Sequence, residues 1–88
     1  MNMLGGPLYW QNETSGALRR AIQAYLNGHH MSEAQIADLR SYLRQWIMAP
    51  VWRGPAIDDL RRRVDGLTHR KAIREWLNDA AEEEIDPL

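Results

Sequence analysis

Six cations fall between positions 61 and 74: Arg61, Arg62, Arg63, Arg70, Lys71 and Arg74, with Asp65 the lone acid among them. A guanidinium group offers a planar fork of donors that matches carboxylates and phosphates, so this cluster is the first candidate for binding chemistry. Lys71 is the single lysine among the 11 cationic residues, a bias that the binding chemistry of the fork and genomic base composition explain equally well. From Glu75 onward the sign reverses. Glu75, Asp79, Glu82, Glu83, Glu84 and Asp86 follow with no cation between them, so the chain is dipolar although its formal net charge is only −1.

A second candidate lies in the loop Ala49-Pro50-Val51-Trp52-Arg53-Gly54. Trp52 and Arg53 stand outside any helical stripe there, and Trp and Arg are enriched at binding hot spots. The arm Leu8-Tyr9-Trp10 likewise places aromatics outside the stripes. Each either folds over the helices as a lid or serves as an exposed anchor.

Catalysis is not expected. The sequence contains no G-x-S-x-G, phosphate loop or H-E-x-x-H pattern. His29 and His30 are adjacent, so on a helix they would diverge by about 100°, and although Glu33 stands four residues after His29, the break between Gly28 and Ser32 keeps the two off one helical face. His69 draws interest only through its basic neighbours. There are no cysteines, which removes disulfides and thiolate metal sites. No metal and no cofactor are expected. An 88-residue chain also buries only about 60 to 65% of its unfolded surface, leaving little core volume for a ligand cavity of about 300 Å³ or more.

The elements that must position these side chains are helical. Leu18, Ala21, Ile22, Tyr25 and Leu26 recur at i, i+3, i+4, i+7 and i+8, predicting a first helix over 15–27 with Thr14 or Ser15 as cap and Gly28 as terminator. Ser32, with Gln35 three residues on and Met31 facing Ile36, reads as a capping box with a hydrophobic staple. It opens a second helix over 33–48, which Pro50 ends. Pro55 after Gly54 starts a third over 55–65, bearing Ile57, Leu60 and Val64. Thr68 is expected to cap a fourth over 69–83, carrying Ala72, Ile73, Trp76, Leu77 and Ala80. The fold class is therefore all-α, one domain of four short helices, with an irregular arm over 1–13 and a frayed tail over 84–88.

The start lacks a basic leader region and is interrupted by Gly5, Gly6 and Pro7, and the longest apolar run, 46–52, contains Pro50. A cytoplasmic protein without membrane association is expected.

Some charge placement follows local rules: Asp58 to Arg62 and Asp59 to Arg63 are favourable i, i+4 pairs. Other placements break them. Arg70 and Lys71 in the first turn of the fourth helix and Glu82 to Glu84 near its end oppose the helix dipole, while Arg70/Arg74 and Arg40/Arg44 are like-charge i, i+4 pairs. Arg70 and Arg74 are expected to be exposed, and such violations suggest an interface. The leading reading is a protein-binding adaptor, inhibitor or regulatory subunit. It would dock through the basic corner (Arg61, Arg62, Arg63, Arg70, Lys71, Arg74) and the anchors Trp52 and Arg53 onto an acidic protein surface. The alternative is nucleic-acid binding through the same cations. The pI of about 6.3 is low for that role, and a helix–turn–helix with Gly66 in its turn would place Arg61 and Asp65 at positions that should be buried. A structural homodimer is the third reading.

Overall fold

Ser32 sets the clearest helix start. Its Oγ accepts from the Gln35 amide at 3.1 Å, and its own amide donates to Gln35 Oε1 at 3.0 Å, completing the capping box. Ser32→Ala is expected to cost about 1 kcal/mol in chemical denaturation without changing the folded-state helicity.

The computed structural model describes residues 15–88, with side chains from residue 16 onward. The arm over 1–13, including Tyr9 and Trp10, and the Thr14 and Ser15 side chains as helix caps lie outside the described residues. The fold is all-α. Among the described residues there are four α-helices: α1 (Ser15–Leu26), α2 (Glu33–Ile47), α3 (Pro55–Arg63) and α4 (Arg70–Glu82), with a 3-10 turn, Val64–Gly66, between the last two. No helix among them is long and apolar enough to cross a membrane.

Helix α2 is the hub, touching α1, α3 and the 3-10 turn, while α4 packs on α3. The core follows from the periodic stripes: Ile22 from α1, Leu39, Leu43 and Ile47 from α2, Ile57 and Leu60 from α3, then Val64, Leu67, Ile73, Trp76 and Ala80. Trp76 is fully buried and its indole N–H donates to Leu60 O at 2.9 Å, joining α4 to α3.

Three expectations change on folding. The cap of α4 is His69, whose Nδ1 accepts from the Ala72 amide at 3.3 Å; Thr68 lies one residue too early. The third helix stops at Arg63 and tightens into the 3-10 turn Val64–Gly66. The tail expected to fray is packed instead: Ile85 and Pro87 are buried, and the Tyr42 hydroxyl donates to Pro87 O at 2.7 Å. Two buried apolar side chains and a buried hydrogen bond outweigh the entropy of ordering so short a segment.

Helices α1 and α4 end alike. His29 N donates to Ala24 O and Gly28 N to Tyr25 O; Ile85 N donates to Ala80 O and Glu84 N to Ala81 O. Both are Schellman motifs, which require a left-handed residue. Gly28 takes that conformation in α1 (φ 70°), but in α4 it falls to Glu84 (φ 63°).

Candidate functional site

Three arginines of the basic cluster are engaged by the fold itself, each with a different segment. Arg61 turns toward the end of α2, donating from Nε to Ile47 O (2.8 Å) and from Nη2 to Ala49 O (3.2 Å) and Trp52 O (2.9 Å). It thereby holds the 47–52 loop and puts a cation where the α2 dipole favours one. Arg63 bridges α3 to α4, bonding Asp59 at 3.0 Å and Asp79 at 2.8 Å. That hydrogen bond is the main reason the Asp59 carboxyl is held below the usual aspartate range. Arg62 is exposed and leans on Asp59 at 3.4 Å; Asp58 faces Arg61 at 3.9 Å, so the expected Asp58–Arg62 pair does not form.

Arg70 corrects the expectation of exposure most clearly. Its side chain is partly buried. Nη1 donates to Tyr25 O at 2.8 Å, while Nη2 donates to Ala24 O at 3.2 Å and also to His29 O. The guanidinium carbon lies 5.3 Å from the centroid of the Tyr25 ring, a cation–π contact. A charge that opposes the dipole of its own helix therefore satisfies the carbonyl end of α1. Arg40 and Arg44 behave similarly, because both reach the segment after α3: Arg40 donates to Leu67 O at 3.0 Å and Arg44 pairs with Asp65 at 3.2 Å. The broken local rules of α2 and of Arg70 thus have a tertiary compensation.

Lys71 and Arg74 remain exposed on α4, and Arg53 is exposed with a long 3.5 Å contact to Pro50 O. Trp52 is half-buried, stacked on Trp46 at 6.3 Å, with Tyr42 edge-on to Trp46 at 6.5 Å. The exposed large hydrophobic side chain of that loop is its neighbour Val51, at 73%. The indole N–H groups of Trp46 and Trp52 are buried and have no acceptor among the described residues.

A different feature collects the remaining unpaired surface. Because α1 packs on α2 and α4 on α3, an open groove of about 440 Å³ is left between the C-terminal part of α1 and that of α4. Tyr25, Leu26, Leu77, Ala81, Ile85 and Leu88 line it with apolar surface, and Glu84 and Asp86 stand at its lip. Leu26 is 58% exposed beside it. Burial holds the Tyr25 hydroxyl above its usual pKa, partly offset by the nearby charges of Arg74 and Arg70. Among the described residues no group of three or more His, Asp or Glu is placed to hold a metal ion.

The sequence signals for this groove are weak. Leu26 and Leu77 read as members of ordinary core stripes, and Ile85 and Leu88 as part of a frayed end. Comparison with protein-family models, with curated proteins and with solved structures finds no match to this chain.

Proposed function

We propose that this chain is a non-catalytic protein-interaction module that seats an apolar helical face, flanked by cations, in the α1–α4 groove. The observation that supports it best is the combination of an apolar floor with an acidic lip. The floor supplies area to bury, and Glu84 and Asp86, with Glu82 and Glu83 close by in the chain, favour a cationic border on whatever binds. The basic-corner reading draws less support, because Arg61, Arg63 and Arg70 are engaged with carbonyls and carboxylates of the fold. Lys71, Arg74 and the exposed Arg62 are what that cluster leaves for an acidic partner or for phosphates, with Arg53 exposed in the neighbouring loop.

The conformation of Glu84 adds a second support. A side chain in the left-handed region costs on the order of 1 kcal/mol relative to glycine, and such strain collects at functional positions. Glycine here would make the better helix terminator; glutamate puts a carboxylate on the lip of the groove.

Glu84→Gly is therefore expected to raise stability by about 1 kcal/mol while weakening binding, two effects that a purely structural residue would not combine. Fluorescence anisotropy with a labelled amphipathic peptide, its leucine row flanked by arginines, measures the second effect. The arginine-flanked peptide should bind and a glutamate-flanked counterpart should not, and Leu77→Asp should weaken binding by about tenfold or more. Equal affinity for the two peptides, or unchanged binding by Glu84→Gly, would refute the reading.

A further inference from the structure

Resting on the reading of the groove as a docking surface, we infer that its occupant is a second copy of this chain, docked with its α4 antiparallel to the first across a two-fold axis at Asn78. Lys71, Arg74, Asn78 and Glu82 are all exposed and share one face of α4 at helical spacing. Along that face the charge runs from positive at the first turn to negative at the last, continuing into Glu83 and Glu84. An isologous interface needs a surface complementary to itself after a two-fold rotation, and a charge gradient along a helix meets that condition only in the antiparallel arrangement.

The register follows from the spacing. Arg74 and Glu82 lie four residues either side of Asn78, each about 6 Å from it along the helix axis. Rotation about Asn78 therefore sets the Arg74 of each copy opposite the Glu82 of the other, and Lys71 opposite the partner's acidic turn. At the axis two Asn78 amides face each other, each able to donate and accept, as a polar residue does when it fixes register between helices. Leu77 and Ala81 lie on the groove side of the same helix, so the approach also covers apolar surface that is open in the single chain.

The same arrangement accounts for the charge order of Lys71 and Glu82 to Glu84, which works against the dipole of their own helix. Beside an antiparallel copy, Lys71 and Arg74 meet the negative end of the partner helix and Glu82 meets its positive end. Arg70 has its compensation within the chain; Lys71, Arg74 and Glu82 find theirs between copies.

Sedimentation equilibrium of the full chain from about 5 µM to about 500 µM tests this, since dimer population rises with protomer concentration. The mass should rise from one chain toward two. Arg74→Glu and Glu82→Arg should each remain monomeric throughout, and the double variant Arg74→Glu/Glu82→Arg should recover the dimer because the pair is restored with its signs exchanged. Circular dichroism checks that each variant stays helical. A monomer at every wild-type concentration, an assembly larger than two, or a double variant that fails to recover the dimer overturns the inference. Peptide anisotropy at low chain concentration reads the groove separately, so a monomeric chain that still binds the arginine-flanked peptide would sink the second copy and leave the docking surface standing.

Discussion

Arg70→Glu is expected to lower stability by about 2 to 4 kcal/mol, far more than a surface charge reversal. Hydrogen bonds to a charged donor contribute about 1.5 to 3 kcal/mol, and a cation at a helix C-terminus adds about 0.3 to 1 kcal/mol. Arg70 supplies both to α1 through Tyr25 O, Ala24 O and His29 O. Glutamate would remove the donors and set an anion against the same carbonyls. Lysine keeps the charge but cannot span three acceptors, so Arg70→Lys should recover less than half of the loss. Arg74→Glu, one turn on and exposed, should cost no more than about 0.5 kcal/mol. Urea denaturation followed by circular dichroism at low protein concentration separates the three. If Arg70→Glu and Arg74→Glu prove equally mild, the capping role is wrong.

Trp76→Ala is expected to cost about 3 to 5 kcal/mol, the range for removing a large aromatic from a packed core. A domain of this size has a total stability on the order of 4 to 13 kcal/mol, so the variant should lose between about a quarter of it and all of it, with a large drop in denaturation midpoint. Trp76 is fully exposed to this loss because it is buried and its N–H satisfies Leu60 O. Trp46→Phe provides the contrast, since the Trp46 N–H has no acceptor among the described residues and its removal relieves a buried donor. It should cost less than Trp76→Phe. The reverse order in denaturation midpoints would show that ring volume, rather than the Trp76 hydrogen bond, governs the ranking.

The helices were legible because their signals act within one or two turns. The Ser32 capping box, Pro55 after Gly54, Gly28 after Asn27 and Pro50 after Ala49 each fix backbone geometry through neighbours at most four residues away. The tail departs from its expected frayed state because a distant contact decides the outcome there. Ile85 and Pro87 looked like an end too short to order, yet Tyr42, 45 residues earlier, holds the tail by its hydroxyl. His69 rather than Thr68 caps α4, since either side chain can accept from the first-turn amides and the path of the preceding turn sets which one is in reach.

The site was less legible for the same reason. Six cations in 14 positions looked like one basic corner, and sequence spacing alone offers no way to see that Arg61 would reach back to Ile47, Arg63 forward to Asp79 and Arg70 across 45 residues to Tyr25. A guanidinium suited to a partner's carboxylate is equally suited to the open carbonyls of a helix end, and only the approach of the two elements selects between them. By itself the sequence determined the all-α class, the starts of α2 and α3, the ends of α1 and α2, the apolar stripes and the reversed charge order along α4, because each of these is a property of near neighbours in the chain. The tertiary structure decided which arginines the fold consumes, which acidic residues line an opening and that α1 and α4 leave a groove between them, because those depend on how amphipathic faces meet at long range.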